Sequence, residues 1–96
     1  MTTHTLFLTV KEPYYSQMKR GEKLIEYREY KQYWISRIIN NEKNLRGIEI
    51  RKGRTRKKGD PRNLVFLWTG YTIETIVHPH FENVEKKVFT IPLVKP

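Results

Sequence analysis

Gly21-Glu22-Lys23-Leu24-Ile25-Glu26-Tyr27-Arg28 is the stretch whose reading decides the fold. Glycine takes the left-handed conformation without a Cβ clash, so Gly21 is suited to close a helix that precedes it. Beyond it, Leu24, Glu26 and Arg28 alternate with Ile25 and Tyr27, the period-two pattern of a strand with one buried face. The alternation leaves open which set faces inward, because Leu24 shares its side with two charged residues.

Working outward, Leu6-Phe7-Leu8-Thr9-Val10 is β-branched and aromatic-rich and reads as a first strand. Pro13 is placed to start a short helix, Tyr14 to Arg20, where its missing N–H costs nothing. Downstream the period changes. Tyr30, Trp34 and Ile38 fall at i, i+4 and i+8 with Ile35 and Ile39 beside them, predicting an amphipathic helix over 31–40 that stops at Asn40-Asn41. Trp34 is expected chiefly in the core on this pattern. Gly47 to Arg51, Leu64 to Trp68, Tyr71 to Val77 and Lys87 to Val94 read as further strands. Gly70 allows a bend between two of them, and Pro92 places the end of the last at an edge. The expected fold is α+β: a small mixed β-barrel of about six strands with two short helices. Residues 1–96 form one domain on this reading, with a basic loop at about 51–62.

The hydrophobic share is 38% and the charged share 30%, but 12% aromatics argue for a folded chain over a disordered one. The absence of cysteine excludes disulfides, thiolate metal sites and a cysteine nucleophile. The first apolar run, Leu6 to Val10, is too short for a signal sequence or a membrane span. A soluble, cytoplasmic protein with no membrane partner is therefore expected.

The net charge is +9 and the isoelectric point about 9.9, which points to polyanionic partners. Residues 51–62 carry seven of the basic residues, Arg51, Lys52, Arg54, Arg56, Lys57, Lys58 and Arg62, against a single acid, Asp60. A solvated, mobile loop explains such a run, and Gly53, Gly59 and Pro61 do mark a loop. The density of the charge favours contact with a phosphate backbone. At and within the second helix Tyr30, Tyr33 and Trp34 interleave with Lys31 and Arg37, the mixture that stacks bases and neutralises phosphates. His78-Pro79-His80 reads as a loop pair without a third ligand, so neither a metal nor a cofactor is expected. No phosphate-loop pattern of glycines occurs.

The run Gly21-x-Lys23-x-x-Glu26-x-Arg28 matches G-x-K-x-x-E-x-R, and in this it resembles the signature of the ASCH domain family. Val10-Lys11-Glu12-Pro13-Tyr14 is similar to the segment that leads into the signature, and Lys58-Gly59-Asp60 to a later Gly-Asp element. The resemblance implies a PUA-like β-barrel with a ligand cleft beside the motif. It also implies RNA or nucleotide ligands; some members cleave RNA or hydrolyse acylated pyrimidine nucleosides. The small amidohydrolase members use a Lys and a nucleophilic Thr in this motif, whereas Glu26 stands at the matching position here.

Lys23, Glu26 and Arg28 are either a structural ion cluster at the barrel mouth or a polar cleft floor that meets ligand. Arg28 offers a planar fork for phosphate and Lys23 a point donor. If the chain is an enzyme, Lys23 and Glu26 are the catalytic candidates of a metal-independent ribonuclease or a nucleoside amidohydrolase. Two adjacent cations oppose proton uptake by a carboxylate, which ranks binding above catalysis. The expected nucleic-acid contacts are Lys11, Lys23, Arg28, Arg37 and the cations of 51–62, with Tyr30 and Tyr33 as stacking platforms. A third reading is a protein-interaction module that offers its basic loop to an acidic partner.

Overall fold

Alternation along the first strand, β1 (Thr5–Val10), sets the core. Leu6, Leu8 and Val10 are buried, while Thr5, Phe7 and Thr9 face the other way. The computed structural model describes residues 4–96, apart from the side chain of His80, so Met1-Thr2-Thr3 and that histidine of the His-Pro-His pair lie outside the described residues. Helix α1 (Tyr14–Lys19) follows, with Pro13 at its N-cap, one position before the expected one. It buries Tyr15 and Met18. Gly21 adopts φ +77°, and two hydrogen bonds, Gly21 N–H to Met18 O and Glu22 N–H to Gln17 O, close the helix in a Schellman arrangement.

Strand β2 (Ile25–Glu29) leads to helix α2 (Gln32–Ile38), shorter than the predicted span. A single 3₁₀ turn, Glu42–Asn44, then precedes β3 (Gly47–Lys52). Strands β4 (Leu64–Leu67) and β5 (Thr72–Val77) follow. A second 3₁₀ turn, Pro79–Phe81, precedes β6 (Glu85–Pro92). Among the described residues the strands form two three-stranded sheets, ordered β1-β3-β4 and β2-β6-β5. The β1–β3 pair is parallel and every other pair antiparallel.

The sheets meet where Leu67 bridges Val94, just past the end of β6. Among the described residues no backbone ladder joins β1 to β2; the Arg28 guanidinium reaches from β2 to the Thr9 carbonyl on β1, 3.0 Å away. Strand β6 is central in its sheet, yet Pro92 lies beyond the last residue paired with β5, Thr90, so its missing N–H breaks no bond on that side.

Leu45, Ile48, Ile50, Phe66, Phe89, Ile91 and Leu93 complete the core together with Ile38 of α2. Trp34, expected chiefly in the core, is half-buried and packs against its margin. A seven-residue helix lays about two turns on the sheet, and Ile38 takes the deepest place. Among the described residues no helix is long and apolar enough to cross a membrane.

Candidate functional site

Strand β2 turns Glu26 and Arg28 inward, which settles the alternation. Leu24 and Ile25 are exposed, whereas Glu26 is buried and the side chains of Lys23, Glu26 and Arg28 keep only 16%, 10% and 18% exposure. Burial of charge is costly unless each group is paired, and here each is. Glu26 Oε2 accepts from Arg28 Nη2 at 2.7 Å, while Oε1 lies 3.5 Å from Lys23 Nζ and accepts from the Tyr27 N–H. Arg28 also donates to the Thr9 carbonyl and lies over the Trp34 ring at 5.1 Å. Its Nε is buried without a hydrogen-bond partner.

This cluster floors a cleft of about 350 Å³. Lys11 and Tyr14 enter from the β1–α1 side, Gly53 and Arg54 from the basic loop, and His78 and Phe81 from the turn after β5. The Lys23 ammonium sits 5.6 Å from both the Tyr14 and Tyr27 ring centres, and Tyr27 lies 5.8 Å from His78. The result is a concave site with aromatic walls, cations at the floor and rim, and one carboxylate whose two oxygens are both engaged. Such a site can take a flat ring between aromatic faces and an anionic group at Lys11, Lys23 or Arg54.

The basic loop is exposed along most of its length but braced from within. Glu49 of β3 accepts from the Gly59 N–H at 2.7 Å and from Asn63 Nδ2 at 2.8 Å, and Asn63 also donates to the Lys57 carbonyl. Arg51 donates to Thr9 Oγ1 and to the carbonyls of Arg54 and Arg56, so it braces the loop from within. Arg56 donates to the Arg62 carbonyl and covers the Tyr15 ring. Arg62 is paired with Asp60 at 2.8 Å, and its side-chain hydrogen bonds hold the Asp60 carboxyl at about 2, below its ordinary 3.8. Lys52 approaches Glu12 at 3.6 Å. Hydrogen bonds from Ser16 hold Glu12 below the usual carboxylate range.

The expected contacts therefore divide. Lys11, Lys23, Arg28 and Arg54 come together at the cleft. Arg51, Lys52, Arg56 and Arg62 have internal partners, because a loop this rich in charge folds by hydrogen-bonding its own carbonyls and few acids. Lys58 lies 5.8 Å from the Phe7 ring, away from the cleft, and the Lys57 side chain is not part of the cleft lining. Tyr30, expected as a stacking platform, packs on Phe89 at 5.2 Å with the Lys87 ammonium 4.3 Å from its ring centre, so its ring is committed to the core margin. Tyr33 is 53% exposed, with Arg37 stacked on it at 3.5 Å, and both lie outside the cleft.

Reading the sequence alone missed Tyr14, Tyr27, His78 and Phe81 as cleft walls. His78 was visible as half of a histidine pair, but its role follows from the turn that brings it beside Tyr27. Among the described residues no cluster of three or more His, Asp or Glu side chains could hold a metal ion. Comparison with family models, with curated proteins and with solved structures finds no match to this chain.

Proposed function

We propose that this chain is an ASCH-type, PUA-like module that binds single-stranded RNA or a nucleotide in the cleft over Lys23, Glu26 and Arg28. One observation carries the reading: aromatic faces from Tyr14, Tyr27, His78 and Phe81 surround a cationic floor and rim in a concavity of about 350 Å³. A base is flat and polarisable, and its phosphate is anionic; the cleft offers a surface for each. The G-x-K-x-x-E-x-R run supplies that floor, which supports the family reading. On the same reading the two sheets are the halves of a PUA-like barrel, with Arg28 stapling the seam between β1 and β2.

Binding is favoured over catalysis because Glu26 is committed to its own cluster. Its oxygens accept from Arg28 and the Tyr27 amide with Lys23 3.5 Å away, so removing a proton from a substrate would weaken these charge-assisted contacts. Glu26 acts here as the counter-ion that holds two cations in place.

The test is a titration with short single-stranded RNA at rising salt, with the matched DNA in parallel. The expected result is micromolar or tighter binding at low salt, with log K falling linearly in log[salt]. Lys23→Ala should weaken it while far-ultraviolet circular dichroism stays unchanged. Absence of binding at low salt, or affinity indifferent to salt, refutes the proposal.

A further inference from the structure

The cleft does not end at Arg28. Thr9, Arg28 and Arg54 also line a second hollow of about 520 Å³, which continues past Trp34 and Phe7 to Tyr33. Phe7 and Tyr33 in turn line a third, of about 470 Å³, that reaches Arg37, Asn40 and Lys58. The three concavities share wall residues and form one groove. Its floor is the outward set of β1, Thr5, Phe7 and Thr9, the face left over when Leu6, Leu8 and Val10 enter the core. Helix α2 forms one wall, and Arg54 and Lys58 of the basic loop rise opposite.

Two features of the groove point to its occupant. No acidic side chain lines the second or third hollow, although the chain has ten acids. Three aromatic rings are also each paired with a guanidinium: Trp34 with Arg28 at 5.1 Å, Phe7 with Arg51 at 5.0 Å and Tyr33 with Arg37 at 3.5 Å. Arg28 and Arg51 spend N–H groups on Glu26, Thr9 and loop carbonyls and so hold their rings in place, while Arg37, exposed and donating to the Tyr33 carbonyl, offers its remaining N–H groups to phosphate beside a ring. Rings set along a groove beside outward cations suit a single strand of nucleic acid.

We infer that the cleft is one end of a continuous track for single-stranded RNA. The strand leaves the cleft over Arg28, lays following bases against Trp34, Phe7 and Tyr33, and sets its phosphates on Arg54, Lys58 and Arg37. The track rests on the reading of the cleft as a nucleotide site and extends it from one residue to a run of about four nucleotides, the low end for such grooves. Arg51 serves as a positioning residue, since its hydrogen bonds to Thr9, Arg54 and Arg56 tie the loop wall to the floor.

The experiment is fluorescence anisotropy or calorimetry with uridylates of one, two, four and eight nucleotides. Wild type is compared with Tyr33→Ala/Arg37→Ala and with Ser36→Glu, which adds a negative charge at an exposed groove position and removes one surface hydrogen bond to Gln32. Affinity is expected to climb up to about four nucleotides and then level off. Each variant should lose about tenfold on the eight-mer and nothing on the mononucleotide. The salt slope of the double variant should fall by about one.

Wild-type affinity for the eight-mer in both variants, or no gain with length in wild type, overturns the track and leaves the cleft reading standing. Equal losses on mononucleotide and eight-mer also overturn it, since the groove then acts only through the cleft. A poly-glutamate peptide bound as tightly as the eight-mer identifies a general anion surface and overturns the assignment to a base-stacking strand. No binding of any uridylate by wild type overturns the cleft reading together with the track.

Discussion

Glu26→Gln isolates the role of the buried carboxylate, because glutamine keeps the shape and removes the charge. In the wild type the gross attraction of Glu26 to Arg28 at 2.7 Å is about 6 kcal/mol, and to Lys23 at 3.5 Å about 5 kcal/mol, at an effective dielectric of about 20. Most of this offsets the cost of taking three charges out of water. The substitution leaves Lys23 and Arg28 with that cost and with their mutual repulsion. Removing one partner of a fully buried pair costs about 3–5 kcal/mol. The residual exposure of 10–18% across the three side chains puts the expectation at the lower end, about 3 kcal/mol.

For a domain of this size, about 3 kcal/mol lowers Tm by about 12–24 °C. Thermal and urea denaturation followed by circular dichroism measure it directly. Glu22→Gln is the matched control, since its pair with Arg20 is more than half exposed on both sides and should leave Tm unchanged within error. RNA affinity is expected to hold or rise in folded Glu26→Gln, because two cations lose their internal counter-ion. A fall in Tm under about 4 °C, corresponding to about 1 kcal/mol, refutes the description of a buried cluster held by Glu26. A large loss of affinity with stability intact refutes the counter-ion role.

Glu49→Ala should release the Gly59 and Asn63 anchors of the basic loop, seen as faster amide exchange across residues 53–63 with β1 and β3 protected as before. The Asp60 carboxyl should titrate near 2 by carbon-detected NMR. Because its folded pKa is depressed, the pairing with Arg62 contributes above the ordinary 3.8 and is lost as pH falls toward about 2, so the loop should loosen across that window. Gly21→Ala places a Cβ at φ +77° with open space around it, so the cost is conformational alone, about 1–2 kcal/mol by denaturant unfolding. A cost near zero would mean that the turn relaxes out of the left-handed region.

Sequence periodicity was enough to locate six strands and two helices, because repeated alternation and the 3.6-residue spacing are local properties of chains that bury one face. Leu6, Leu8 and Val10 announce their strand without help from the rest of the molecule. The order of those strands in two sheets was not legible, since pairing β1 with β3 in parallel joins residues some forty positions apart, such as Thr5 with Gly47. The run from Gly21 to Arg28 shows the division most plainly. Composition placed a turn, a strand and three charged side chains there, but alternation alone was compatible with either face turning inward. Only the packed structure decided for the charged face, because Glu26 can be buried only where Lys23, Arg28 and the Tyr27 amide meet its two oxygens. The same holds for residues 51–62. Their charge is a property of the sequence, but which cations face outward depends on which carbonyls and carboxylates the folded loop brings within reach of the others.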